Sequence, residues 1–165
     1  MTASPPSRKR RLGAWAAAIL AASVTLADPA VRAATTERVV TDVNTGLALY
    51  GVDPVAYFTE GKPVIGKGDF EYRYAGAIWR FSNQGNRAAF IADPDVYMPR
   101  FGGYDPVGVA RGLSTAGFAE LWAIHNQRLF LFYTAEARKA FLEKPEPVIA
   151  AASARWSSVI QDLAD

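Results

Sequence analysis

From Leu47 onward the apolar positions of this chain fall into short blocks with two different periods. Phe70-Glu71-Tyr72-Arg73-Tyr74 alternates aromatic with charged residues, which predicts a strand with one face on a core. Ala75-Gly76 predicts a turn and Ile78-Trp79-Arg80-Phe81 the returning strand, because Gly76 can adopt the positive φ of a hairpin turn. Ser82 or Asn83 then caps a helix running to about Ala92, with Ala89 and Phe90 on its inner face. Pro94 opens a short helical turn that aims Tyr97 inward. Leu121-Trp122-Ala123-Ile124 and Leu129-Phe130-Leu131-Phe132-Tyr133 predict a second hairpin. Its second strand is apolar on both faces and is expected centrally in the sheet. Thr134 caps a helix to Lys144, which Pro145 stops. Val148, Ala152, Trp156, Ile160 and Leu163 recur at four, four, four and three, the apolar stripe of a C-terminal helix. The expected fold is α+β: a small antiparallel sheet from two hairpins, covered by about three helices, in a single domain.

Ahead of these blocks the chain reads as an address. Arg8-Lys9-Arg10-Arg11 is a basic stretch, Leu12 to Leu26 is apolar, and Val31-Arg32-Ala33 offers a cleavage site before Ala34. Residues 1–33 are therefore expected to be a signal peptide, since the apolar run falls short of the roughly 20 residues of a spanning helix. Export by the Sec route, or by the twin-arginine route suggested by Arg10-Arg11, leads to a periplasmic or secreted protein with no stable membrane span after cleavage. Polar residues 34–46 are expected to form a flexible N-terminal arm, and residues 47–165 the domain with its C-terminal helix.

The leader changes the charge picture. It holds five of the 18 Lys and Arg and one of the 16 Asp and Glu. The remainder carries 13 basic and 15 acidic residues, so the whole chain's +2 becomes −2. That balance argues against nucleic-acid binding, which needs a concentrated basic surface. The chain has no cysteine, so disulfides, thiol redox chemistry and thiolate-held metals are closed to it.

Three segments carry a resemblance. They are Asp53-Pro54-Val55-Ala56-Tyr57-Phe58, Phe81-Ser82-Asn83-Gln84-Gly85-Asn86-Arg87-Ala88-Ala89-Phe90, and Asp93-Pro94-Asp95-Val96-Tyr97. They resemble the YHS domain, a small module linked to metal handling. Tyr50 through Val64, Phe101-Gly102-Gly103-Tyr104, Gly108 to Gly112, Trp122 through Tyr133 and the Trp156 helix resemble that family's exported branch, so the likeness spans most of residues 48–156. In the family pattern, cysteines commonly stand where this chain has Ala56, Ser82 and Asn86. In the exported branch a cysteine or selenocysteine often stands where this chain has Asp105. The resemblance therefore implies a metal-handling scaffold whose sulfur and selenium positions are substituted.

The residues leave few other candidates. His125 is the single histidine. It stands at the hairpin turn, either as an exposed turn residue or as a metal ligand or proton-transfer group. Asp53 and Asp105 both precede proline, either as turn formers or as parts of an oxygen-rich pocket with Tyr57 and Tyr104. Such a pocket would take a small polar ligand or a hard cation. Glu143 and Glu146 read as a solvated helix end. Asp-Pro-Val occurs at 53–55 and again at 105–107, and three matching residues alone are ascribed to chance. The chain lacks a Gly-x-Ser-x-Gly elbow and a phosphate-binding glycine loop. The leading expectation is a non-enzymatic accessory or binding module. The alternatives are a metalloprotein or enzyme using His125 with Asp53 and Asp105, and a protein-interaction module docking a partner through the C-terminal helix or residues 112–120.

Overall fold

The computed structural model describes residues 1–2 and 38–163. By its contacts the chain divides into Met1–Arg32 and Ala33–Asp165, and the fold lies in the second part. The basic stretch, the apolar run and the cleavage site of the expected leader lie outside the described residues, as do residues 34–37 of the expected arm.

The fold is mixed α+β: two antiparallel two-stranded sheets and, among the described residues, six α-helices. In chain order these are α1 (Ala56–Thr59), β1 (Lys67–Tyr74), β2 (Ala77–Phe81), α2 (Gln84–Ala92), α3 (Pro94–Tyr97), α4 (Pro106–Val109), β3 (Phe118–His125), β4 (Arg128–Phe132), α5 (Ala135–Glu143) and α6 (Pro145–Asp162). Both predicted hairpins form, β1 with β2 and β3 with β4, each as its own sheet. Both predicted caps act as such: the side chains of Asn83 and Thr134 accept the N–H groups of Asn86 and Ala137. Pro145 ends α5 and also occupies the first turn of α6, where its missing N–H costs nothing.

The second half of the domain repeats the first. Leu49, Tyr50 and Gly51 have φ of 50°, 55° and 85°, and Phe101, Gly102 and Gly103 have φ of 54°, 60° and 92°. The N–H of Asp53 donates to Val64 O at 2.8 Å, and that of Asp105 to Thr115 O at 2.8 Å. Gly66 N–H donates to Gly51 O and Gly117 N–H to Gly103 O, both at 2.9 Å. The register slips once in each hairpin, between Lys67 and Glu71 and between Phe118 and Trp122. Arg87 Nε reaches Glu71 O at 2.7 Å, and Arg138 Nε reaches Trp122 O at 2.6 Å. The two Asp-Pro-Val segments thus occupy equivalent places, and the match ascribed to chance belongs to a structural repeat.

Each half has its own aromatic hub. The Phe90 ring lies 4.9 Å from Trp79 and 5.2 Å from Phe81, and Phe141 lies 4.7 Å from Phe130 and 5.1 Å from Phe132. All six rings are buried. Strand β4 is apolar on both faces for a reason other than a central place in a sheet, since its sheet has two strands. Phe130 and Phe132 face α5. Leu131 lies on the opposite face, next to Gly103 and Gly117. The α6 stripe is as predicted at Ala152, but Val159 is the second buried residue, and Ile160 is half-buried.

Residues 38–46, expected in the flexible arm, are built into the domain. Val39 and Val40 are buried. Val40 N–H donates to Gly102 O and Val40 O accepts from Leu49 N–H, both at 2.8 Å. This one residue therefore braces the two positive-φ kinks against each other. The polar residues that suggested an arm instead make a turn: Asp42 Oδ1 accepts from the N–H of Asn44 and from the N–H and hydroxyl of Thr45.

Close approach explains three glycines. A Cβ on Gly66 would sit 2.5 Å from Arg80 C, one on Gly117 2.6 Å from Leu131 Cβ, and one on Gly102 1.9 Å from Arg38 O. Gly66→Ala and Gly117→Ala should each lower stability by about 1–3 kcal/mol, the usual cost of overpacking. Gly102→Ala should cost more, because its φ is also positive. Gly68→Ala, whose Cβ would meet nothing closer than 3.8 Å, should leave the urea midpoint unchanged or raised. Equal midpoints for the Gly66 and Gly68 variants would contradict the close packing.

Candidate functional site

The two aspartates of the expected pocket have separate sets of hydrogen-bond donors. At the first, Asp53 is fully buried at the start of α1. Its Oδ1 accepts from Val55 N–H at 2.9 Å and Ala56 N–H at 3.3 Å. Its Oδ2 accepts from Ser82 N–H and the Ser82 hydroxyl, both at 2.8 Å, and from Asn86 Nδ2 at 2.7 Å. Asn86 Nδ2 also donates to Ser82 Oγ at 3.2 Å. A carboxylate offers about four lone-pair sites, and five donors already converge on this one. Asp53 has no acceptor capacity left for a cation and no free oxygen for proton transfer.

The second cluster is a simpler copy. Asp105, 4% exposed at the start of α4, accepts from Val107 N–H at 2.8 Å and Tyr133 N–H at 3.0 Å. Tyr133 and Ala137 stand where the first half has Ser82 and Asn86, and among the described residues no side-chain donor reaches this carboxylate. Both aspartates serve as turn formers of the kind that Asp-Pro predicts, with Oδ1 bonded two residues ahead.

The described hydrogen bond of Tyr57 goes to neither carboxylate. Tyr57 is buried on α1, its hydroxyl donates to Ala119 O at 3.0 Å, and its ring meets Trp122 edge-on at 5.3 Å. Burial, and secondarily the negative charge of Glu120, push the Tyr57 hydroxyl well above the ordinary tyrosine range. The Tyr104 ring lies 6.0 Å from that of Trp156 on α6.

His125 pairs elsewhere. Its Nε2 lies 2.8 Å from Glu146 Oε1 at the start of α6, and its ring sits edge-on to Phe141 at 6.0 Å. Asn126 Nδ2 donates to the same Glu146 oxygen at 3.2 Å. The helix-end carboxylate read as solvated is thus the partner of the histidine, though its side chain remains 69% exposed. Among the described residues no three His, Cys, Asp or Glu side chains stand together as a metal site, so His125 does not share one with Asp53 and Asp105. None of the described helices is long and apolar enough to cross a membrane.

Two surface features stand out, the first lined in part by the 112–120 segment read as a docking loop. Tyr50, Phe118 and Tyr133 are exposed around a groove of about 440 Å³ beside residues 112–120, with the Phe118 and Tyr133 rings stacked at 5.4 Å. A larger cleft, of about 640 Å³, opens between the β1–β2 turn, the segment from α3 to Gly102, and α6. Arg38, Arg100 and Arg128 line it together with Trp156. These arginines are remote in sequence, and none belongs to a motif.

Asp53→Asn would place an amide nitrogen among donors and should cost about 2–3 kcal/mol in urea unfolding, whereas Asp105→Asn, with two bonds at stake, should cost about 1 kcal/mol. Tyr57 carries a second expectation. Its folded-state ionisation is raised, so the stability it contributes is intact below the ordinary tyrosine value near pH ~10 and is lost as pH rises above it. Ultraviolet titration should show one tyrosine ionising only as the protein unfolds in alkali, a step absent from Tyr57→Phe. Comparison of the chain with family models, curated proteins and solved structures gives no match.

Proposed function

We propose that the protein is an exported, periplasmic or secreted accessory or binding module of the YHS type, non-enzymatic, in which a hydrogen-bonded aspartate knot stands in place of a thiolate metal site. One observation carries this reading. Ser82 and Asn86, two of the three positions where the resemblance expects cysteine, bring their side chains to the carboxylate of Asp53, and the third, Ala56, meets it through its backbone N–H. Their convergence supports a shared ancestral site, and the chemistry now there supports a purely structural use of it. Hydroxyl and amide groups are poor ligands for the soft ions that thiolates hold. Among the described residues, no buried side-chain nitrogen or oxygen lacks a hydrogen-bond partner, so the knot is closed without a ligand.

Two measurements test this. Elemental analysis with native mass spectrometry on the protein from its native compartment should find no thiophilic ion at one equivalent; stoichiometric copper or zinc would overturn the reading. The triple variant Ala56→Cys, Ser82→Cys and Asn86→Cys should, once reduced and folded, take up about one equivalent of Cu(I) or Zn(II), since three thiolates suffice to open a site of that kind. A folded triple variant that stays metal-free would remove the case for a former metal site.

A further inference from the structure

The cleft beside α6 concentrates charge that the rest of the chain does not. The chain beyond the expected leader has a formal net charge of −2. The cleft lining nonetheless holds three guanidinium groups, Arg38, Arg100 and Arg128, against the single carboxylate of Asp95. Ion pairs among the described residues join Arg80 to Glu71 and His125 to Glu146, and none of them involves the three cleft arginines. Arg128 donates through Nη1 to the backbone oxygen of Asp95, which holds it at the rim. The Arg100 guanidinium lies 5.4 Å from the centre of the Phe101 ring. Arg38 is exposed beside the buried Val39.

The same lining also holds apolar residues. Trp156 is half-buried and meets Phe101 edge-on at 5.6 Å, which limits its rotation. Met98 and Ile160 complete the wall next to it. The volume of about 640 Å³ falls within the roughly 300–1,000 Å³ of small-molecule sites. Guanidiniums outside the described ion pairs, set beside an aromatic ring, match a molecule with one anionic end and one flat apolar body. Arginine forks bind carboxylates in two-point fashion.

We propose that this cleft is a binding site for a small organic carboxylate with an aromatic body, its carboxylate held by Arg100, Arg38 and Arg128 and its ring packed on Trp156. The site gives the proposed binding module its ligand class and rests on that reading, but it shares no residue with the Asp53 or Asp105 clusters. Metal analysis tests the module reading, and ligand binding tests the cleft, so either can fail alone.

The probe is 2-naphthoate, titrated into the full chain and followed by calorimetry and by NMR shifts of the Trp156 indole and the Gly102 and Ser153 amides. Saturable binding is expected, with shifts confined to the cleft. The neutral 2-naphthamide and inorganic phosphate alone should each bind at least tenfold more weakly, because each lacks half of the recognition. Arg100→Gln should weaken naphthoate roughly tenfold, the scale of a lost charge-assisted bond. Lys139→Gln, on the exposed face of α5, should leave it unchanged. Added salt should weaken naphthoate and spare naphthamide. Equal binding of naphthoate and naphthamide would overturn the proposal. So would shifts scattered over the surface, or no saturation by about 10 mM, where binding is no stronger than a few kcal/mol.

Discussion

Each half of this protein turns on one buried carboxylate. Asp53 and Asp105 stand at the point where a kinked loop becomes a short helix, and each reaches across to the residue that follows the second strand of its hairpin. A buried carboxylate is costly unless donors surround it. Five donors do so at Asp53 and two at Asp105. The requirement fixes where loop, strand end and helix start must meet, and the aromatic hub of each half forms against that joint.

Without cysteine, the fold rests on burial and on braces made of backbone. Phe90 and Phe141 each gather the strand aromatics of their own hairpin. Val40 then joins the halves by bonding both kinks at once. Those kinks place Leu49, Tyr50 and Phe101 at positive φ, a strained conformation for residues with side chains. Such strain persists only where surrounding bonds determine the backbone, and the Val40 brace supplies two of them.

Much of the fold was legible because hairpins and caps are local. The alternation from Phe70 to Tyr74, the caps at Asn83 and Thr134 and the C-terminal stripe all act within a few residues. The repeat was also written in the chain: Phe81, Arg87, Ala89, Phe90 and Pro94 recur as Phe132, Arg138, Ala140, Phe141 and Pro145, 51 positions on. The aspartates recur at 52, and that one-residue change in the loop breaks the register between the motifs. Residues 38–46 misled because Asp, Asn, Thr and Gly are written alike in a loose arm and in a tight turn. Only contact with Gly102 and Leu49 decides between them.

Taken alone, the sequence determined the two hairpins and their turns, the helices α2, α3, α5 and α6, the absence of thiol chemistry and the pairing of each Asp-Pro with a turn. These follow from local stereochemistry and composition, which need no knowledge of distant partners. Tertiary structure decided that the hairpins stay separate sheets, that Asp53 is saturated by Ser82 and Asn86, that His125 faces Glu146, and that three scattered arginines share one cleft. Each of those outcomes is a meeting of side chains from distant segments, and a carboxylate's chemistry is set by the donors that reach it in space.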